Sequence, residues 1–163
     1  MLNSDLQTNK LRGFTVLELL VVILIILLLA LVSFVALNGQ RAKARDAKRI
    51  SDVRQIRTAL EFYFSDEGEY PVIGQQLDLG QGNGAKLCSK AEGGFVTLQT
   101  VCKQETTYMT EVPRDPLPNK FFTYVGSLQG YDLSFSTEKD SSLGPAGIYH
   151  AHSQIIDNVS GLK

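Results

Sequence analysis

No proline occurs between residues 14 and 70, so nothing in that stretch removes a helical hydrogen bond or forces a break. Charge is nearly missing from residues 14–37, where Glu18 is the single charged side chain. The chain has a formal net charge of only −1, which withdraws the global electrostatic argument for a nucleic-acid binder or an acidic tail. Cysteine is scarce, at two residues. There is no nucleophile elbow, no phosphate-binding glycine loop and no metal-binding histidine helix. Serine, histidine and aspartate are present without a spacing that groups them, so an enzyme is not expected. Hydrophobic residues make up 44% and charged residues 20% of the 163, near the values of a soluble globular protein. Those averages exclude whole-chain disorder and a multi-span membrane protein, but they sum over unlike parts.

Four zones follow from local composition. Residues 1–13 are short and polar, with Lys10 and Arg12 just before Gly13. Residues 14–37 are apolar and exceed the roughly 20 residues that a helix needs to cross a bilayer. Residues 38–66 are charged but periodic: Ala47, Ile50, Val53, Ile56, Leu60 and Tyr63 recur every three or four positions and keep one face apolar. Arg45, Lys48, Arg49, Asp52 and Arg54 are expected largely on the other faces. A continuous helix from residue 15 to 65 would be about 75 Å long at 1.5 Å per residue. Asn38 and Gly39 are its weak point, since glycine costs about 1 kcal/mol relative to alanine. The helix should end between residues 65 and 69, with Gly68 as a left-handed cap and Pro71 unable to continue it.

Residues 67–163 contain turn formers, short strands and both cysteines. Residues 74–94 read as a long glycine-rich surface loop. Strands are expected at 95–101, 120–125, 131–136 and 148–152. The third alternates cleanly, with Tyr131, Leu133 and Phe135 on one face. Short connections favour antiparallel pairing, because a parallel crossover needs a dozen or more residues. The expected architecture is α+β, a helix packed across a small antiparallel sheet.

Residues 1–37 fit a signal peptide poorly, because the apolar core is too long. A signal anchor and a segment cut before the apolar run both fit. Orientation is divided at this level. Arg41, Lys43, Arg45, Lys48 and Arg49 outnumber Lys10 and Arg12, and by the positive-inside rule they favour a cytoplasmic C-terminal zone. The two cysteines and the glycine-rich loops lean toward an extracytoplasmic one.

The segment KLRGFTVLELLVVILIILLLALV closely resembles the prepilin N-terminus of type IV pilins and type II secretion pseudopilins. RAKARDAKRISDVRQIRTALEFYFSDEGEYP looks like the rest of the pilin helix, ending in the Gly-x-Tyr-Pro turn of major pseudopilins and related pilins. Val112-Pro113-Arg114-Asp115-Pro116 resembles a segment that precedes the sheet in those proteins. Residues 10–72 carry most of the match. The resemblance implies a pilin-like fold, with residues 1–13 as a cleaved leader, 14–37 as a transmembrane and assembly helix, 38–66 as its amphipathic continuation and 67–163 as the globular domain. It implies that a prepilin peptidase cuts between Gly13 and Phe14 and N-methylates Phe14, with the leader inside and the C-terminal domain outside. The chain departs from many pilins in having Val35 where they carry a proline, so an unbroken helix is expected.

Several residues then acquire candidate roles. A carboxylate in an apolar membrane helix costs about 2.5–3.5 kcal/mol by insertion scales and usually has a partner. For Glu18 that partner is the new α-amine of Phe14 on an adjacent subunit, which makes Glu18 an assembly residue. Gly13 suits a cleavage site because glycine lets the backbone extend into a peptidase. Cys88 and Cys102 favour a disulfide, worth about 3 kcal/mol for a loop of this size, over two free thiols. His150 and His152 point the same way on a strand, but their spacing is not that of a structural zinc module, and a partly exposed edge strand is expected. Asp132, Glu138, Asp140 and Asp157 raise calcium, which needs six to eight oxygens; Lys139 interrupts the 136–142 run and a polar hairpin is favoured, so no cofactor is expected. The basic cluster over residues 41–57 could serve DNA, but a solvated or intersubunit face is favoured and no nucleic-acid partner is expected.

The reading that joins these observations is a structural subunit of a type IV pilus-like filament. Its alternatives are a major pseudopilin of a type II secretion system and, from another class, an unprocessed signal-anchored binding module. Implied partners are other copies of the chain, a prepilin peptidase, an inner-membrane assembly platform with a motor ATPase, and membrane lipid before assembly. The implied location is the cytoplasmic membrane, then an extracellular or periplasmic filament.

Overall fold

The computed structural model describes residues 13–159, and for residues 34–38 the backbone alone. Residues 1–12 of the expected leader 1–13, with Lys10 and Arg12, lie outside the described residues. A 52-residue α-helix, α1 (Val16–Glu67), follows three non-helical residues. Its backbone stays helical through Asn38 and Gly39. Gly68 ends it with φ +74°, its N–H reaching Phe64 O at 2.9 Å, the left-handed cap that glycine adopts without a Cβ penalty.

The chain forms two compact units, Met1–Gly39 and Gln40–Lys163. In the first, the large apolar side chains from Phe14 to Val32 are 44–82% exposed. Val16–Ser33 is long and apolar enough to cross a membrane. Exposure of that extent is unfavourable in water, at about 25 cal/mol per Å² of apolar surface, so this unit needs lipid or protein around it.

The second unit is α+β. β1 (Ile73–Asp78), β5 (Thr123–Gly126), β6 (Tyr131–Ser136), β7 (Ile148–Ala151) and β8 (Ile156–Asp157) form an antiparallel sheet in the order β1-β5-β6-β7-β8. A second antiparallel sheet, β3-β2-β4, joins β2 (Lys86–Cys88), β3 (Phe95–Val96) and β4 (Thr107–Met109). Ile50, Val53, Ile56, Leu60 and Tyr63 of α1 pack in one core with Tyr124, Tyr131, Leu133, Phe135 and Ala151. Each fully buried side chain of this size contributes about 1.5–3 kcal/mol. At Gly126 an added Cβ would run into Tyr124 Oη and Pro71 O, which is why a small residue stands where the chain after α1 crosses β5.

Strand β6 matches its expected span, and three others shorten or shift: 95–101 to Phe95–Val96, 120–125 to Thr123–Gly126, and 148–152 to Ile148–Ala151. The expected loop at 74–94 is corrected, because β1 and β2 lie within or across it. β1 is a sheet edge with Gly74, Gln75 and Gln76 exposed, so it never needed the apolar alternation that marks a half-buried strand. Three face assignments on α1 are also corrected. Ala47 is exposed, whereas Arg49 is fully buried and Asp52 nearly so. Strand β7 is not an edge, since β8 pairs with its outer side.

Candidate processing and assembly site

Gly13, Phe14 and Thr15 precede the helix in non-helical conformation, and Gly13 and Phe14 are exposed. Thr15 is the helix N-cap: its Oγ1 accepts the Glu18 N–H at 3.2 Å, and its carbonyl accepts the Leu19 N–H at 3.2 Å. Glu18 therefore stands at the third helical position of a Thr-x-x-Glu run, the sequence of a capping box. An acidic side chain in the first turn complements the positive end of the helix dipole. The sequence reading of Glu18 missed this local role, although Thr15-Val16-Leu17-Glu18 carried the signal. The bond between Gly13 and Phe14 lies in non-helical backbone between two exposed residues, and cutting there would place a cationic amine one residue before the cap.

Cys88 and Cys102 form a disulfide with Cα atoms 6.2 Å apart. It ties the end of β2 to the connection between β3 and β4. Glu92 reinforces that connection, accepting hydrogen bonds from the Lys103 N–H at 2.8 Å, Thr106 Oγ1 at 2.9 Å and Ser89 Oγ at 3.0 Å. The Lys103 N–H, foremost among these, lowers the Glu92 pKa. A Glu92 carboxylate oxygen also lies within 4.8 Å of both sulfurs, but a bonded sulfur pair leaves no thiolate to hold an ion.

The basic stretch is corrected in part, because Arg45 and Arg49 turn inward. Arg49 donates from Nε and Nη2 to Asp115 at 2.7 and 2.8 Å, and from Nη1 to Asp46 and Glu138 at 2.7 Å each. Arg45 grips the same Glu138 carboxylate at 2.8 and 2.5 Å. Asp46 in turn accepts the N–H groups of Glu138 and Lys139 at about 3.0 and 2.9 Å. This network fastens α1 to the 113–118 segment and to the β6–β7 connection. Burial acts to lower the Arg49 pKa, and its hydrogen bonds to Asp115, Glu138 and Asp46 outweigh burial and raise it. Hydrogen bonding to Arg45 above all, then to Arg49, holds Glu138 down at about 2.

The carboxylates named for calcium are thus dispersed among protein partners. Glu138 faces two arginines, Asp140 accepts the Ala146 N–H at 3.2 Å, Asp132 meets His150 Nδ1 at 2.8 Å, and Asp157 lies 3.6 Å from His152 Nε2. The histidine rings stack 6.5 Å apart. His152 is buried, with its ring nitrogens at Tyr131 O and Val159 O.

Residues 8–34 match the prokaryotic N-terminal methylation motif. Over most of its length the chain is similar to type II secretion system core protein G of Escherichia coli (strain K12), with 32% identity covering 84% of this chain and 88% of that protein. The protein of the same name from Klebsiella pneumoniae is 30% identical over 93% of this chain and 97% of its own. The Aeromonas hydrophila protein is 38% identical over 45% and 51%. No solved structure gives a significant match.

Proposed function

The chain belongs to the family of type II secretion system core protein G, and from that premise we propose that it is a processed pseudopilin, the structural subunit of a secretion filament. The observation that carries the proposal is the junction at residues 13–18. An accessible Gly13 and Phe14 stand directly before a capped helix whose first turn holds Glu18. Cleavage after Gly13 and methylation of Phe14 by a membrane peptidase would release a helix that is apolar on all sides. In lipid such helices gain little from one another, so close packing and the pairing of Glu18 with a neighbouring Phe14 amine must carry association. The globular unit then stands outside the cytoplasmic membrane, an environment that suits its disulfide. The role is assembly, with the peptidase and an assembly platform driven by a motor ATPase as partners.

A type IV pilus subunit is the second reading. The disulfide and the engagement of Glu138 by Arg45 and Arg49, in the segment weighed for calcium, favour it.

The experiment expresses the chain with a prepilin peptidase and follows N-terminal mass and filament formation. Glu18→Ala should be cleaved as the parent is and should fail to assemble. Normal filaments from Glu18→Ala, or an intact leader on the parent, sink the proposal. Loss of secretion without long surface fibres assigns the secretion role, and abundant sheared fibres assign the pilus.

A further inference from the structure

His152 stands just past the end of β7, 1% exposed, and both of its ring nitrogens meet backbone carbonyls. Nδ1 lies 3.1 Å from Tyr131 O on β6, and Nε2 lies 3.2 Å from Val159 O beyond β8. A carbonyl oxygen only accepts hydrogen bonds, and a neutral imidazole has one N–H and one lone pair. One of the two contacts therefore sets lone pair against lone pair unless the ring carries both protons. A buried polar group left in such a contact is costly, and a buried cation needs a counter-charge. Asp157 supplies one: its Oδ1 lies 3.6 Å from Nε2 and also accepts the Val159 N–H at 3.0 Å.

The strand that this ring reaches is weakly anchored otherwise. β8 is two residues long, and it covers the outer edge of β7 by pairing Asp157 with His150 and Ile156 with Ala151. Ile155 and Val159 beside it are 50% and 53% exposed, so apolar burial holds the segment mainly at Ile156. Its polar anchors are the His152 ring, the His152 N–H on Ile155 O at 2.8 Å, and Arg57 Nη2 on Ser153 O at 2.9 Å. Of these three, the ring alone changes its protons near neutral pH. The other charged and titratable groups around it come from each neighbouring element. His150 of β7 stacks on the ring with centroids 6.5 Å apart, and Asp132 of β6 gives His150 Nδ1 its own counter-charge at 2.8 Å. From α1, Arg57 reaches residue 153, and Glu61 lies 3.5 Å from the Tyr131 hydroxyl.

We propose that His152 is a proton-dependent clasp. With both ring nitrogens protonated it binds the carbonyls of Tyr131 and Val159 and fastens β8 over the edge of β7; loss of one proton releases that strand. The stabilisation is present on the acid side of the ring's titration and is lost as the pH rises through it. Release uncovers the outward N–H and C=O groups of β7, an edge able to pair with another extended segment.

The test uses the full chain in detergent, with isotope-labelled histidine, and follows two readouts through the pH range in which histidine titrates. Proton–nitrogen correlation spectra show which ring nitrogens carry protons; the chain has two histidines, so His150→Gln assigns the signals. Amide exchange, corrected for its intrinsic pH dependence, reports the protection of residues 156–159. On the acid side both His152 nitrogens should carry protons and the strand should be protected. As the ring loses a proton, protection there should fall about tenfold, the scale of one buried hydrogen bond, while β5 and β6 stay protected. His150→Gln should keep this dependence, and His152→Gln should show the lower protection at every pH. A His152 ring that stays neutral at the acid end while β8 is protected overturns the proposal on the parent chain alone. So does protection that is unchanged as the ring titrates. A pH dependence that persists in His152→Gln also overturns it, and assigns the change to Asp157 or to the Asp132–His150 pair.

Discussion

Glu138 receives Nε and Nη2 of Arg45 and Nη1 of Arg49, and its acidity records that contact. Its folded-state pKa is about 2 against an ordinary 4.5. A carboxylate depressed by folding stabilises the fold fully above its ordinary pKa, and that contribution is lost as the pH falls through the folded value. Urea unfolding of the full chain in detergent should therefore show stability declining between pH 4.5 and about 2. Glu138→Gln should flatten the decline; an identical slope in that variant assigns it to other carboxylates. Sequence reasoning counted Arg49 among the solvent-facing cations because a charge on a helix is usually solvated. Only the fold brings Asp115, 66 residues away, onto its guanidinium. A buried arginine is tolerable because all three of its nitrogens find carboxylates, and removing one partner of such a pair typically costs about 3–5 kcal/mol.

Among the elements, α1 was the most legible. Its proline-free length, its periodic apolar face and its glycine stop are local features, and the observed Val16–Glu67 span follows them. The small sheet β3-β2-β4 was the least legible. Its strands are two or three residues long, too short for a period-2 signal, and the disulfide and the hydrogen bonds of Glu92 tie together the segments around them. Cys102→Ser should lower the unfolding free energy by about 3 kcal/mol, the value expected for a closed loop of this size. Reduction of the parent should produce a similar loss and leave Cys102→Ser unaffected. A parent whose stability is indifferent to reductant shows that Glu92 and the strand hydrogen bonds hold this region alone.

Taken whole, the chain divides its work at Gly39 and Gln40. The described core begins at Ile50 and draws every member from the second unit. The first unit exposes apolar side chains throughout its described part. Deleting residues 1–39 should therefore yield a folded fragment in the soluble fraction, with cooperative unfolding, the circular dichroism of an α+β domain and no multimers. A fragment that is unfolded, or that stays with the membrane, contradicts this division.

The sequence by itself determined the apolar helix, the cleavage-like junction around Gly13 and Phe14, the lone Glu18 and the α+β class. Each of these is written in contiguous residues, where composition and helical period suffice. Tertiary structure decided which charges turn inward, that β1 closes the sheet at one edge and β8 at the other, and that Asp132 and Asp157 face histidines. Those outcomes depend on partners brought together from distant parts of the chain, and no local period encodes such meetings.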